Sequence, residues 1–175
     1  MTLKLRLFLE KLILYSGQAI SWLTLLMVLI TFMIVVLRYV FDTGWIAMQE
    51  SVNYLHAINF MMGAAYTLQK QKHVRVDIFY QRFSEKQKAM VDLLGTLLLL
   101  LPVSAFIIWV SWDYVSASWA MRESSGEAGG LPWLYLLKSL LLLMPLLMII
   151  QGTAWILKLW PVAMGHKPLP KQSES

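Results

Sequence analysis

The chain has 175 residues, of which 58% are hydrophobic and 14% are charged, and its formal net charge is +5. Soluble domains carry about 25% charged residues, and the apolar residues here form long unbroken runs, so the composition excludes an ordinary water-soluble domain. The chain has no cysteine, which excludes disulfides and thiolate metal sites.

Four apolar runs are long enough to cross a bilayer as helices. A hydrocarbon layer about 30 Å thick needs roughly 20 helical residues, and the runs are too long and too leucine-rich for barrel strands. The sequence therefore predicts an all-α integral membrane protein with four transmembrane helices and possible short amphipathic segments at the interface. We expect one domain over residues 1–160, a polar tail over 161–175, and helices near residues 16–37, 46–68, 89–112 and 133–157.

The first run follows Lys4, Arg6 and Lys11 and could be mistaken for a secretory signal. A signal peptide has an apolar core of about 7 to 15 residues and ends at a small-residue cleavage site. This run is longer and leaves through "RYVFDTGW", which offers no such site, so we interpret it as a retained anchor.

Polar side chains interrupt the second run, "WIAMQESVNYLHAINFMMGAAYTL". They are Gln49, Glu50, Asn53, His56 and Asn59. Polar groups inside a membrane are costly and usually face protein or water. Two readings follow: an ion or substrate pathway, or hydrogen bonds that fasten this helix to another subunit. We favour the second reading, because the group lacks a second acidic partner.

His56 also raises the question of a haem held between two histidines. The other histidines, His73 and His166, fall outside the predicted spans, so one chain cannot supply both axial ligands. His73 and Asp77 are four residues apart, which is a weak metal signal. We expect no metal site and no cofactor.

The segment 69–88 is strongly basic and separates the second run from the third. It holds six of the chain's fifteen lysines and arginines. Lysine and arginine in short loops collect on the cytoplasmic side, and this segment, the N-terminus and the C-terminal residues from Lys158 onward together hold twelve of the fifteen. Both termini are therefore predicted to be cytoplasmic. We expect the charge to meet anionic membrane lipids and not nucleic acid, since no aromatic platform for bases accompanies it.

The third and fourth runs contain Pro102 and Pro145, which predict kinks. Between these runs lies the outer loop "SASWAMRESSGEAGG", with Arg122, Glu123 and Glu127. We interpret it as part of a docking surface; the alternative is a solvated connector with an aromatic belt.

Lys138 lies five residues after Trp133, just as Glu50 lies five after Trp45. Both charges should therefore lie at matched depth, about 7 to 8 Å below the outer face. We expect an intramembrane pair between Glu50 and Lys138; the alternative is that Lys138 extends to the interface.

Several stretches together resemble the small membrane subunit, of DctQ type, of a tripartite ATP-independent periplasmic (TRAP) transporter. They are "VVLRYVFDTGWIAMQESVNYLHAINFMMGAAYTLQKQKHVRVDIFY" and "ESSGEAGGLPWLYLLKSLLLLMPLLMIIQG". The matching positions are Arg38, Glu50, Gly63, His73, Arg75, Asp77, Pro132 and Lys138. The resemblance covers about residues 20 to 158.

The resemblance implies a scaffold subunit in a bacterial inner membrane, and not an enzyme. Its expected partners are a large membrane subunit, which moves a small organic acid or related solute on a sodium gradient, and a periplasmic substrate-binding protein. Two other classes stay open: a haem-type membrane anchor of a respiratory enzyme, and a small self-sufficient transporter working as a homo-oligomer.

Overall fold

The computed structural model describes residues 2–70, 80 and 82–165. All regular structure in these ranges is helical, as predicted. The helices are α1 (Thr2–Val40), α2 (Ile46–Gln69), α3 (Glu85–Gly95), α4 (Leu101–Met121) and α5 (Leu134–Ala163). A five-residue π-helical segment, Thr96–Leu100, joins α3 to α4, so these two helices form one rod from Glu85 to Met121.

The rods extend past the predicted spans. The first helix begins at Thr2 and has 39 residues, which gives a length of about 58 Å. This is nearly twice the hydrocarbon thickness. The basic N-terminal stretch that precedes the first predicted span is thus part of the same helix as that span.

The second helix packs antiparallel against α1. The amide of Asn59 donates to Thr24 Oγ1 at 2.9 Å, and the amide of Gln69 donates to the backbone carbonyl of Glu10 at 2.6 Å. As the residue number rises on one helix, that of its partner falls on the other. This packing places α2 beside a helix that is apolar and long enough to span the membrane.

Three rods of the described chain are both long and apolar enough to cross a membrane: α1, the α3–α4 rod and α5. The fourth crossing is α2, which has 24 residues and a length of about 36 Å. Its polar side chains lower its mean hydropathy below that of the other three. The all-α, four-helix membrane fold predicted from the sequence is confirmed.

The fifth helix lies at the centre of the bundle and contacts every other rod. Its C-terminal half packs on α3, where Trp155 and Leu159 meet Ala89 and Leu93. Its middle, at Leu147, packs on α1 and α2 through a second buried cluster. The lipid-facing surface is therefore carried mainly by α1 and α4, whose large apolar side chains are exposed.

The π-helical segment explains how the α3–α4 rod accommodates Pro102. Proline has no backbone N–H and its ring clashes with the carbonyl four residues earlier. The wider π turn directly precedes Pro102 and makes room for that carbonyl. Pro145 is buried inside α5, which continues unbroken as a helix on both sides.

Candidate subunit interface

A narrow polar stripe on the exposed surface of α2 is the first feature of the candidate site. Gln49, Asn53 and His56 are exposed, and Phe60 continues the line with 74% of its surface exposed. Steps of four, three and four residues keep these side chains within an arc of about 60°. The His56 ring stacks on the Phe60 ring, with centroids 6.5 Å apart. The surface that α2 turns away from its own bundle is therefore polar at membrane depth.

Glu50 and Asn59 lie on opposite flanks of this stripe, each about 90° from its centre. Both turn toward other parts of the chain: Asn59 binds Thr24 on α1, and Glu50 binds the outer loop. The polar residues of α2 thus have two roles. The flanks are used within the chain, whereas the centre is left exposed.

Glu50 does not pair with Lys138, so this prediction was wrong. One carboxylate oxygen of Glu50 accepts from the Ser125 hydroxyl, and the other accepts from the backbone N–H of Leu131 at 2.6 Å. The prediction used only the matched depth of Glu50 and Lys138 in their helices. It could not include the hydrogen-bond donors that the outer loop brings to Glu50, because helix positions do not show how a loop folds.

Lys138 pairs instead with Glu123, near the start of the loop that follows α4. Its ammonium group also lies 4.1 Å from the centroid of the Tyr114 ring. Only 14% of the Lys138 side chain and 30% of the Glu123 side chain are exposed. The predicted alternative, extension of Lys138 to the interface, fits this position better, because its charge is neutralised at the loop.

The ion pair has an electrostatic consequence on the loop side. The hydrogen bond from Lys138 holds the pKa of the Glu123 carboxyl below its usual range. Glu123 therefore stays ionised at neutral pH and below it.

The three charged residues of the predicted docking surface have different environments in the outer loop. Arg122 is exposed and ends α4 with a left-handed backbone, φ 47°. Glu123 is engaged by Lys138, whereas Glu127 is exposed and its backbone N–H donates to Ser125 Oγ at 3.1 Å. Of the three charges, those of Arg122 and Glu127 face outward.

The remaining family-motif positions fall into two groups. Arg38 and Pro132 are exposed at the outer ends of α1 and the outer loop, and an added Cβ at Gly63 would meet nothing within 4 Å. His73, Arg75 and Asp77 lie outside the described residues. Within the described ranges, no group of three side chains that could hold a metal comes together.

Sequence reasoning missed Ser125 and Gly130, which complete the surroundings of Glu50. A Cβ at Gly130 would lie 2.5 Å from Ser125 Oγ and 2.9 Å from a Glu50 oxygen, so only glycine fits there without a shift. The sequence offered one signal, a glycine pair at 129–130 beside the small residues of the loop. That signal indicates a turn but not its partner.

Comparison with known families gives one match. Residues 27–162 match the family model described as "Tripartite ATP-independent periplasmic transporters, DctQ component". The matched range contains the polar stripe, Glu50 and the whole outer loop. Searches of the curated proteins and of the solved structures each returned no match.

Proposed function

The chain belongs to the DctQ component family of tripartite ATP-independent periplasmic transporters, and from that premise we propose that it braces the large membrane subunit of such a transporter. Family membership makes it a small membrane component of a transport system. The proposal adds that the large subunit moves a small organic acid or related solute on a sodium gradient. It also adds that the outer loop helps to dock the periplasmic binding protein.

The observation that carries the proposal is the exposed polar stripe Gln49, Asn53 and His56 on α2. In lipid, amide and imidazole groups lose their hydrogen bonds to water and gain nothing in return. A helix with such a face is stable in a membrane when another protein covers it. Since the stripe faces away from α1 and α5, a second chain is the natural cover.

Gly63 lies on the same side of α2, about 40° from the stripe's first residue. Open space above its Cα would let a partner helix approach closely. Phe60 lies between Gly63 and His56 on this surface and offers a large apolar contact. A polar stripe, an aromatic anchor and a small residue in one line fit a transmembrane helix of the large subunit.

The test replaces the stripe with leucine and measures assembly. The triple variant Gln49→Leu, Asn53→Leu, His56→Leu should still insert, because it raises the hydropathy of α2. We expect at least a tenfold loss of the co-expressed large subunit in affinity purification, together with loss of sodium-driven solute uptake in proteoliposomes.

The matched control is Thr31→Val on α1. Thr31 is also exposed at membrane depth, but its hydroxyl donates within its own helix to the carbonyl of Met27 at 2.8 Å. This variant should assemble like the native chain. Full recovery of the large subunit by the triple leucine variant, or solute uptake by the small chain alone, would contradict the proposal.

A further inference from the structure

The outer loop between α4 and α5, residues 122–133, has a defined fold of its own. The N–H of Ser125 donates to the carbonyl of Leu131 at 2.9 Å, and the N–H of Gly130 donates to the carbonyl of Glu127 at 3.0 Å. These bonds close the loop into a compact turn with its crest near residues 126–129. The crest residues are exposed.

Glu50 is the contact that joins this turn to α2. Its two carboxylate oxygens bind donors on both sides of the crest: the Ser125 hydroxyl before it and the Leu131 N–H after it. Hydrogen bonds to a carboxylate are roughly twice as strong as neutral ones. The Glu50 side chain on α2 thus holds the turn at two points, Ser125 and Leu131.

The surroundings of Glu50 fit a hydrogen-bonding role better than a charge-pairing role. The nearby cation, Lys138, is occupied by Glu123. The two buried apolar clusters that hold the bundle lie away from Glu50, on α3 with α5 and on α1 with α2 and α5. Removing the Glu50 carboxylate should therefore release the loop without unfolding the helices.

We infer that Glu50 is a positioning residue, which sets the outer loop at a fixed place relative to the α2 stripe so that the crest can receive the periplasmic binding protein. This inference rests on the proposed docking role of the loop. Glu50 follows Gln49 directly and lies one turn before Asn53, two stripe residues. The Glu50 contacts therefore fix the position of the loop relative to α2, which is the helix that contacts the large subunit in the proposed function.

The experiment uses the complete complex and a spin label on the crest. The native chain has no cysteine, so Ala128→Cys supplies a single labelling site. In Glu50→Ala the label should become markedly more mobile, and the binding-protein concentration that gives half-maximal uptake should rise at least fivefold. The maximal uptake rate and the yield of the complex should stay near native values.

Two further variants approach the same contact from the loop side. Ser125→Ala removes one of the donors to Glu50, and Gly130→Ala introduces a Cβ that crowds both Ser125 and Glu50. Each should reproduce the effect of Glu50→Ala even if that variant folds poorly. Combined with Glu50→Ala, Ser125→Ala should add little, because the two changes remove one interaction. Ser124→Ala, at the exposed neighbouring serine, is the matched control.

The outcomes separate the inference from the proposed function. A label that stays immobile in Glu50→Ala and Ser125→Ala, or a fall in maximal rate with unchanged half-saturation, would overturn the positioning role. The charge reversal Glu127→Lys tests docking itself, since Glu127 is exposed on the crest. If Glu127→Lys leaves half-saturation unchanged at every ionic strength while Glu50→Ala still frees the label, the docking role is wrong and this inference falls with it.

Discussion

Glu123 and Lys138 link the end of α4 to the start of α5 across the outer surface. The lysine ammonium has two favourable contacts, the Glu123 carboxylate and the face of the Tyr114 ring. Next to them, the Trp119 indole donates to Ser139 Oγ at 2.7 Å, and its ring meets that of Tyr135 edge to face. These contacts form one cluster that closes the outer ends of both helices.

Breaking this ion pair should destabilise the outer end of the bundle. We expect Lys138→Met and Glu123→Gln each to lower the thermal unfolding midpoint of the purified chain in detergent. The double variant should fall no further than the worse single variant, because both changes remove the same pair. Additive losses in this double-mutant cycle would contradict the pairing.

Acidification should remove the same stabilisation. The pKa of Glu123 is lowered in the folded protein by its hydrogen bond from Lys138. Its contribution to stability is therefore complete above the ordinary carboxyl pKa and is lost as the pH falls through the lowered value. The difference in midpoint between the native chain and Glu123→Gln should accordingly shrink on acidification below that range. A difference that stays constant would show that the carboxylate is not the group responsible.

The sequence predicted which residues in the membrane are polar, but not which of them pair. A hydrophobic run with five polar positions is visible without a structure, since the bilayer is a uniform solvent that penalises each one. The partner of Glu50 depends on how a twelve-residue loop folds, and loop conformation follows from backbone hydrogen bonds that no periodic pattern records. For this reason the sequence showed that Asn59, Glu50 and Lys138 are polar groups in apolar runs, while the predicted pairing of Glu50 with Lys138 was wrong.

At the scale of the helices, the contact between α1 and α2 depends on a close approach at Gly17. A Cβ at this position would lie 2.3 Å from two ring carbons of Tyr66 and 2.8 Å from its Cβ. Tyr66 also borders the buried cluster of Ile13, Ala65 and Leu147. The absence of a side chain at Gly17 thus lets the Tyr66 ring pack flat against α1.

Gly17→Ala should therefore weaken the α1–α2 contact even though alanine favours helices. We expect a loss of about 1–3 kcal/mol, the usual cost of overpacking a filled site, measured by reversible unfolding in mixed micelles. The matched control is Gly95→Ala near the end of α3, where an added Cβ meets nothing within 4 Å. This control should be neutral or slightly stabilising. Equal stability of both variants would show that Tyr66 can move aside freely.

The sequence predicted that each helix exists, but it did not predict how long each helix is. The apolar runs fix where each rod crosses the membrane, because spanning requires about 20 residues. They do not fix where a rod ends, since helix continues into water wherever caps and packing support it. The α3–α4 rod begins at a capping box formed by Ser84 and Gln87. Its outer end reaches Met121, nine residues past the predicted limit, and the Trp119 indole of that last turn donates to Ser139 Oγ on α5.

For the whole molecule, the number of crossings decides on which side each terminus lies. Four crossings put both termini on the same side, whereas three would put them on opposite sides. By hydropathy alone, the described chain has three rods apolar enough to cross the membrane. The second helix, α2, is not among them because its polar residues lower its hydropathy. Antiparallel packing on α1, from Asn59 and Thr24 to Gln69 and Glu10, is the physical reason to count it.

Cysteine labelling of the otherwise cysteine-free chain should distinguish these two arrangements. Single cysteines would replace Thr2, Ala128 and Ser173, and intact cells would be treated with a membrane-impermeant maleimide. We expect labelling at Ala128→Cys in intact cells, and at Thr2→Cys and Ser173→Cys only after the membrane is opened. The reason is that the N-terminal stretch, the segment 69–88 and the C-terminal residues from Lys158 onward hold twelve of the fifteen lysines and arginines, and such residues are retained in the cytoplasm. Labelling of Ser173→Cys but not Thr2→Cys in intact cells would mean that α2 does not cross, and the polar stripe would then face water and need no partner.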